Sequence, residues 1–397
     1  MPMSAVPVYS GNPFSEENLR DSKPLYKELR DLGRLVWVPE LDLYVAARFE
    51  DVQKGLRSPK VLISSNGVVA NPAVNTMSAV QASTILSDGQ DHLRFKKVLS
   101  APLMPKPIEG LRGRLTEMID EKVAQLVNAE PFDAMREIAS LLPIGVVAEM
   151  IGLRGFTADQ MLFWSDAMFD GFAPPSARNE EKTQTANVEF FKFLMSQNRD
   201  NLVPGSLGSK LFEAVDAGEL VEQEALGLLG DYIVPSLDTT ILSTGEMLYR
   251  LAVTPGAWDA YVANPDLAPK IILEAVRMAS VIRGFTRYAA EDYPVGDFVV
   301  PKGARVWLIN AAANLDERKY PDPDDFKVDR DPRDQLAWGH GVHLCVGKHL
   351  AQLEMETILG SLLRKVERLE VVGEPTPLIN SGIQGFENLQ MRLHAKA

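Results

Sequence analysis

Apolar residues recur every three or four positions along most of this chain, with polar residues between them. This spacing places the apolar side chains on one face of a helix. It predicts helices over residues 111–128, 135–152, 158–170, 180–197, 222–253, 268–279 and 346–366. Strict alternation of apolar and polar residues predicts a β-hairpin of 34–38 and 43–49, and further short strands within 287–308. The fold class predicted is mainly α with small antiparallel β-sheets.

The sequence shows no feature that would divide the chain into several domains. The 397 residues would be long enough for two or three domains. However, the sequence contains no stretch typical of an interdomain linker, no block of like charges and no internal repeat. We therefore expect a single domain that spans residues 1–397.

The longest helical pattern, residues 222–253, contains Pro235 in its interior. A proline cannot donate a backbone hydrogen bond, and its ring clashes with the carbonyl group four residues earlier. The helix is therefore predicted to kink near residues 231–235. An alternative interpretation is two separate helices, with Ser236 or Asp238 capping the second.

The composition excludes several classes of protein. The 54 acidic and 41 basic residues give a net charge of −13, which is unfavourable for nucleic-acid binding. A single cysteine excludes an internal disulfide and sites that need several thiolates. The N-terminus lacks the features of a signal peptide, and the apolar stretch 225–253 carries acidic residues that disfavour a membrane span. We expect a cytoplasmic monomer that binds neither membrane nor nucleic acid.

The most informative segment surrounds the lone cysteine. It reads Trp-Gly-His-Gly-Val-His-Leu-Cys-Val-Gly over residues 338–347, and a predicted helix follows at once. Glycines allow a tight loop that aims backbone N–H groups at the sulfur, and the helix adds its positive end. Both effects favour a thiolate, the form of cysteine that binds a metal.

Two other interpretations of Cys345 deserve comparison with metal binding. It could be a small buried apolar residue, or a nucleophile with His343 or His349 as its base. Core packing does not require three glycines around a cysteine, and a nucleophile needs an open face. The spacing Gly-x-Gly-x-His-x-Cys-x-Gly therefore favours metal–thiolate chemistry.

This loop resembles the haem loop of the cytochrome P450 family of haem-thiolate monooxygenases, with Trp338 where phenylalanine is usual. The resemblance implies the cytochrome P450 fold and haem b as the cofactor. It also implies that Cys345 is the axial ligand of the iron and that His343 contacts a haem propionate. By the same resemblance, His92, Lys96 and Arg287 bind the propionates, with Lys96 in place of the usual arginine.

Further motifs of the family follow in the family's order. Glu274 and Arg277 resemble its Glu-x-x-Arg pair, and Arg330 completes the implied structural ion network. Asp238 and Thr239 match its acid–alcohol pair, which relays protons to bound oxygen, whereas Pro235 and Ser236 depart from the usual small residues. These matches and the cysteine loop are distributed from residue 92 to the C-terminal part of the chain.

Electron delivery is predicted from a cluster of basic residues. Six of them lie between residues 92 and 115 with one acid among them, and Lys348 lies near Cys345. Such a patch on an acidic protein indicates an acidic docking partner. The resemblance to soluble bacterial members implies a [2Fe–2S] ferredoxin and a ferredoxin reductase, with NAD(P)H as the indirect electron source. A merely solvated surface is the alternative.

The substrate is predicted to be small, neutral and apolar, because residues 61–87 contain no charged side chain. The segment 64–68 resembles the subfamily that oxidises para-substituted benzoates, but Asn66 stands where that subfamily has arginine. A neutral aromatic molecule is therefore favoured over a benzoate, and a terpene-like molecule remains an alternative. The candidate pocket residues are Asn66, Val68, Phe172, Val234, Ile282 and Phe285.

The sequence as a whole predicts a monooxygenase that hydroxylates or O-demethylates its substrate. Peroxide-driven haem-thiolate chemistry is a second hypothesis, motivated by Pro235 and Ser236. A third is a non-catalytic haem sensor, which lacks the signalling module that would accompany it. Outside haem chemistry, a thiol hydrolase would require the purified protein to be colourless.

Overall fold

The computed structural model describes residues 5–78 and 82–396. Helices make up most of this part of the chain, as the apolar spacing predicts. They are α1 (Glu16–Arg20), α2 (Lys23–Leu32), α3 (Phe49–Leu56), α4 (Pro72–Ser78), α5 (Gly89–Ser100), α6 (Pro105–Glu109), α7 (Arg112–Leu126), α8 (Leu141–Ile151), α9 (Ala158–Asp170), α10 (Glu180–Met195), α11 (Leu207–Asp216), α12 (Glu222–Ile233), α13 (Asp238–Val253), α14 (Ala257–Ala263), α15 (Ala268–Ala279), α16 (Asn310–Asn314) and α17 (Lys348–Lys365).

The strands are short. They are β1 (Val36–Val38), β2 (Leu43–Ala46), β3 (Leu62–Ile63), β4 (Phe132–Asp133), β5 (Phe285–Ala289), β6 (Tyr293–Val295), β7 (Phe298–Val300), β8 (Arg305–Leu308), β9 (Val366–Val371), β10 (Thr376–Pro377), β11 (Phe386–Asn388) and β12 (Gln390–Ala395). The largest sheet has the order β1-β2-β8-β5-β3, and the smaller ones are β4-β12-β9, β6-β7 and β10-β11. The pairing is antiparallel except between β2 and β8. The predicted fold class is therefore confirmed, with one parallel pair inside the main sheet.

The helical pattern 222–253 is interrupted at Pro235. Helix α12 ends at Ile233, a single 3₁₀ turn follows over Val234–Ser236, and α13 begins at Asp238. The predicted position of the break is correct, because Pro235 cannot continue the backbone ladder. The capping hypothesis is wrong: Leu237 holds the cap position, and Ser236 Oγ donates to the carbonyl oxygen of Ile233 at 2.9 Å.

The predicted helix 135–152 is also divided. Its first part, Met135–Ala139, is a π-helical turn in which the Ser140 N–H donates to the Met135 carbonyl oxygen, and α8 follows. Pro143 lies in α8 and cannot donate to the carbonyl oxygen of Ala139. The ladder of regular α-helical bonds is therefore broken between the two parts.

The main hydrophobic core lies between α7, α13, α15 and α17. Leucine and isoleucine side chains such as Leu115, Leu248, Ile271 and Ile358 are completely or almost completely buried there. Each side chain of this kind contributes about 1.5–3 kcal/mol when it is removed from water. This packing holds α17 against α7 and α15. Within the part of the chain described, no helix is long and apolar enough to cross a membrane.

A buried ion network joins α15 to the segment that follows α16. The guanidinium of Arg277 donates two hydrogen bonds to the Glu274 carboxylate, at 2.7 and 2.8 Å, and both side chains are fully buried. Arg277 also donates to the carbonyl oxygen of Asn314 at 2.7 Å. Arg330 Nη1 lies 3.1 Å from Glu274 Oε1. The structure thus brings together the three residues predicted to form a structural ion network.

Candidate active site

A cavity of about 1150 Å³ lies between the loop 338–347 and the turn that separates α12 from α13. Helices α5, α9 and α10 and the segment 82–86 complete its wall. Most of the lining side chains are apolar. The five residues predicted to bind a cofactor, which are distant from one another in the sequence, all line this cavity: His92, Lys96, Arg287, His343 and Cys345.

The cysteine loop has the conformation that its glycines predict. Gly339 and Gly341 adopt positive φ angles of 71° and 68°, and a Cβ atom at Gly341 would lie only 2.8 Å from the Leu56 carbonyl oxygen. The N–H of Cys345 donates to the carbonyl oxygen of Trp338 at 2.9 Å, which closes the loop. Substituting Gly341 with any larger residue would therefore displace the loop.

The Cys345 thiol is open to the cavity on one side and surrounded by protein on the others. Burial raises the pKa of this thiol, whereas the N–H groups of Gly347 and Lys348 that donate to the sulfur lower it. The predicted N–H donors are therefore present and act in the predicted direction, while burial of the thiol acts against them. A bound metal ion removes the thiol proton outright.

Basic groups converge at another part of the cavity wall. Arg287 is 3% exposed, and its guanidinium donates to the carbonyl oxygen of its neighbour Thr286 at 2.8 Å. Within the described residues its guanidinium has no carboxylate partner in ion-pair distance, and burial lowers its pKa to about 10. Lys96 donates to the carbonyl oxygens of Val342 and Leu344, and burial lowers its pKa as well. A buried positive charge is unfavourable unless an anion lies beside it, so this part of the wall fits an anionic group of a ligand.

The two histidines lie beside these cations. The rings of His92 and His343 are 4.2 Å apart between centroids. Burial, followed by the charge of Arg287, lowers the pKa of His343 to about 2, so this imidazole is neutral at physiological pH. A neutral imidazole still donates one N–H. His92 contacts the Thr84 carbonyl oxygen through Nδ1 at 2.8 Å and the Val342 carbonyl oxygen through Nε2 at 3.0 Å.

These residues fit a haem. A haem combines an apolar macrocycle, two carboxylates and an iron that a thiolate can ligate. The cavity offers an apolar wall, unpaired positive charge at Arg287 and a thiol at Cys345. The N–H groups that donate to the sulfur are of the kind that tune a thiolate ligand of iron.

The predicted acid–alcohol pair is divided by the structure. Thr239 lines the cavity, and its hydroxyl donates to the Pro235 carbonyl oxygen at 2.7 Å. Asp238 lies outside the described wall, only 9% exposed, next to Ser165, Asp166 and Lys182. Its Oδ2 atom has no hydrogen-bond partner among the described residues. Burial raises the pKa of Asp238 to about 7, although a hydrogen bond from Ser165 lowers it.

This buried acid makes stability depend on pH. The pKa of Asp238 rises from its ordinary value of 3.8 to about 7, which corresponds to at most about 4 kcal/mol. Because the folded state keeps the proton longer than the unfolded state, the free energy of unfolding falls as the pH rises from about 4 to 7. Asp238→Asn is therefore expected to be more stable than the native protein at pH 8, with a gain that shrinks towards pH 5. Urea unfolding at both pH values measures this.

The matched control for this prediction is Asp166→Asn, which removes a carboxylate that is paired with Lys182 at 2.5 Å. This variant should gain no stability at pH 8. A gain for Asp238→Asn of equal size at pH 5 and pH 8 would contradict the assigned cause, because a packing effect does not titrate.

The predicted substrate residues are mostly on the cavity wall. Val68, Phe172, Val234, Ile282 and Phe285 all line it. The rings of Phe172 and Phe285 are 5.7 Å apart, which forms an aromatic surface. Asn66 is a correction to the prediction. It is exposed in a turn, and its carbonyl oxygen accepts a hydrogen bond from Arg305, so it does not reach the described wall.

Periodicity did not reveal a second set of lining residues. They belong to α10, α12 and the segment 82–86, and include Asn187, Phe190, Phe191, Leu194, Met195, Gln223, Leu226 and Asp231. Asp231 accepts hydrogen bonds from Ser83 Oγ at 2.6 Å, from Thr84 N at 2.6 Å and from Thr84 Oγ1 at 2.7 Å. This carboxylate therefore fastens the segment 82–86 to α12. The signal in the sequence was an acid inside an apolar helical stretch.

The basic cluster of residues 92–115 is largely neutralised by internal partners. Arg94 forms a bidentate pair with Glu224, and Lys97 pairs with Glu219. Arg112 and Arg114 also have carboxylate partners. Among the described residues, Lys106 and Lys348 have no ion-pair partner. The free positive surface is therefore smaller than the count of basic residues predicts.

Comparisons with known proteins agree with this geometry. The family model described as Cytochrome P450 matches residues 262–386. Over 98% of this chain and 95% of the relative, the sequence is 29% identical to Cytochrome p450 CYP199A2 of Rhodopseudomonas palustris. It is also 29% identical to Cytochrome P450 107B1 of Saccharopolyspora erythraea, over 96% of both chains. The solved structure of cytochrome P450 CYP109Q5 from Chondromyces apiculatus superposes with a TM-score of 0.81, at 25% identity, over 98% of this chain and 99% of that one.

The fold and these similarities define the class of the protein, which is a haem-thiolate monooxygenase and therefore an oxidoreductase. The match extends over nearly the whole of this chain and of its bacterial relatives. The matching family model, relatives and solved structures are all cytochromes P450, so the chain is similar to that family over nearly its whole length, and this similarity implies haem as the cofactor.

Proposed function

We propose that this haem-thiolate monooxygenase is a ferredoxin-dependent enzyme that hydroxylates or O-demethylates a neutral, apolar substrate, and that Cys345 is the residue that would ligate the haem iron. One observation carries the proposal: the Cys345 thiol, the unpaired buried charge of Arg287 and the Thr239 hydroxyl line the same cavity. The oxidant is dioxygen, and the reaction also consumes two electrons and two protons. One oxygen atom of the dioxygen enters the substrate, and the other leaves as water.

The propionate groups of the haem are assigned to Arg287, Lys96, His92 and His343. Arg287 and Lys96 supply positive charge, His343 supplies an N–H donor, and His92 lies beside the ring of His343. When bound, a thiolate-ligated haem supplies dioxygen activation and insertion of an oxygen atom into a C–H bond. The protein's part is to hold this group, to exclude water with apolar walls and to deliver protons.

Proton delivery is assigned to Thr239 and Asp238. The Thr239 hydroxyl lies on the cavity wall and holds the Pro235 carbonyl oxygen of the interrupted helix. Asp238, whose pKa of about 7 keeps it partly protonated near neutral pH, follows as a proton reservoir behind this hydroxyl. Because the reservoir lies outside the wall, it acts through Thr239 or through water.

Electron delivery is assigned to a [2Fe–2S] ferredoxin, reduced by NAD(P)H through a ferredoxin reductase. The docking surface proposed is the face that carries the cysteine loop, where Lys348 and Lys106 retain unpaired charge within the described residues. Charges of this kind govern the rate of encounter with an acidic partner. Arg94 and Lys97 are not part of this surface, because carboxylates of the same chain neutralise them.

The substrate is proposed to be neutral because the described residues that line the cavity offer no cation beyond the propionate-binding group. The aromatic surface of Phe172 and Phe285 favours an aromatic reacting end, such as a methoxyphenyl group. The carboxylate of a benzoate would have no charged partner there, and burial of an unpaired charge is unfavourable.

The experiment compares turnover with dioxygen and reduced ferredoxin against turnover with hydrogen peroxide, and it uses 4-methoxytoluene as the probe substrate. With ferredoxin, its reductase and NADPH, we expect the native protein to form demethylated product. The Thr239→Ala variant should lower the yield of product per NADPH on the order of ten-fold or more, and hydrogen peroxide should be released instead. Thr239→Ser keeps the hydroxyl and should retain the native yield. An unchanged yield in Thr239→Ala would disprove the proton-delivery role, and faster turnover with added peroxide than with ferredoxin would support the peroxide-driven alternative.

A further inference from the structure

The cavity extends well away from the cysteine loop, along α12. The residues that line it share one face of the helix, at positions i, i+3, i+4, i+7 and i+11: Gln223, Leu226, Gly227, Gly230 and Val234. From residue 223 to residue 234 this face is roughly 16 Å long, because an α-helix rises about 1.5 Å per residue. Helix α10 forms the opposite side. We call this part of the cavity, lined by Phe190, Phe191, Leu194, Met195, Gln223, Leu226 and Gly230, the α10–α12 arm.

Gly230 lines the arm between the two helices, beside Leu194 and Phe190. A Cβ atom at Gly230 would make only ordinary contacts, at 3.5 Å to Leu194 and 3.7 Å to Phe190. Packing would therefore accept alanine, although glycine inside a helix is less favourable by about 0.8–1.0 kcal/mol. Gly227 differs, because a Cβ atom there would lie 2.3 Å from the Ala82 carbonyl oxygen. The Ala82 backbone thus requires glycine at position 227, whereas position 230 accepts a methyl group but lies too close to α10 for a large side chain without displacement.

The outer end of the arm reaches the protein surface. Phe191 and Met195 line the cavity and are nevertheless 55% and 58% exposed. Glu222 and Gln223, in the first turn of α12, are also exposed and line the same cavity. The mouth is therefore apolar on the α10 side and polar on the α12 side. The ionisable side chains along the described part of the arm, Glu222 and Asp231, are both carboxylates, which disfavours an anionic ligand.

We infer that the α10–α12 arm holds the unbranched alkyl chain of an elongated, uncharged substrate, whose polar head remains at Gln223 and whose other end reaches the cysteine loop. The inference rests on the proposed function and deepens it. It replaces the small substrate expected from the sequence with a long one, and it places oxidation at the end remote from the polar head. Leu226, Gly230 and Leu194 determine the length of chain that is accepted.

The test uses 1-methyl-, 1-hexyl- and 1-dodecylimidazole, whose imidazole ends ligate haem iron and shift its absorbance spectrum. Each buried methylene is expected to tighten binding on the order of four-fold, so the dissociation constant should fall steeply with chain length. Gly230→Leu fills the arm and should weaken 1-dodecylimidazole at least ten-fold while leaving 1-methylimidazole within two-fold. Gly230→Ala is the matched control and should retain the native dependence on chain length.

Leu226→Phe narrows the same arm from another position, and it should reproduce the effect of Gly230→Leu. The absorbance of each reduced, carbon-monoxide-treated variant shows that it folds and holds haem. If Gly230→Leu and Leu226→Phe bind 1-dodecylimidazole as the native protein does, the chain lies elsewhere and the inference is overturned. If the native protein shows no spectral shift with any of the three probes, the proposed function fails, and the inference fails with it.

Discussion

Replacing Cys345 by serine is expected to abolish the absorbance band that the reduced, carbon-monoxide-treated protein shows at the position characteristic of thiolate-bound iron. Product formation should fall to the background of the buffer. A serine hydroxyl is a much weaker ligand of iron than a thiolate, and its side chain otherwise differs little in volume. The N–H groups of Gly347 and Lys348 that now donate to the sulfur would remain in place. The measurement is the difference spectrum with and without carbon monoxide.

Two control variants separate haem ligation from the thiol-hydrolase alternative. His349→Ala removes a candidate base and should leave the band unchanged, because His349 is not on the described cavity wall. Trp338→Phe introduces the residue usual in the family and should also retain the band. A band that persists in Cys345→Ser, or a colourless native protein, would refute ligation by this sulfur.

Replacing Arg277 by alanine should have the largest effect on stability. The variant leaves Glu274 fully buried, with Arg330 at 3.1 Å as its remaining charged neighbour. Removing one partner of a buried ion pair typically lowers the free energy of unfolding by about 3–5 kcal/mol, because the other charge stays unsolvated. The Asn314 carbonyl oxygen would also lose a hydrogen bond. Urea unfolding of the haem-loaded protein measures the difference.

The matched control is Arg199→Ala. Arg199 pairs with Asp216 at 2.6 Å, but both side chains are about half exposed, at 44% and 64%. Exposed pairs contribute about 0–1 kcal/mol, since water already solvates both charges. Arg277→Lys should fall between the two, because lysine keeps the charge and loses the two-pronged geometry. A loss below about 1 kcal/mol in Arg277→Ala would contradict the assigned role of the network.

The sequence predicted those features that depend on residues close together in the chain. The helical periodicity located eight of the seventeen α-helices in the described residues, including the five longest, and Pro235 located the interruption between α12 and α13. The glycines of the loop 338–347 predicted a tight turn around Cys345, which Gly339 and Gly341 form with positive φ angles. These are local constraints of backbone geometry, so one segment is enough to reveal them.

Features that depend on distant partners could not be predicted in this way. Arg94 appeared to belong to a basic docking patch, yet Glu224, 130 residues further along the chain, neutralises it. Asn66 lies within an uncharged segment, but the orientation of its turn is fixed by Arg305 of strand β8. Asp238 precedes Thr239 directly, and the 3₁₀ turn before them decides which of the two lines the cavity.

Asp231 of α12 connects the segment 82–86 of the cavity wall to the propionate-binding residue His92. Its carboxylate accepts hydrogen bonds from Ser83 and Thr84. The carbonyl oxygen of Thr84 in turn accepts a hydrogen bond from His92. A displacement of the segment 82–86 from α12 would therefore also strain the hydrogen bond between Thr84 and His92, which leaves Val342 as the other carbonyl that holds the ring. The geometry of the propionate-binding histidine is thus tied, through one carboxylate of α12, to the wall of the cavity.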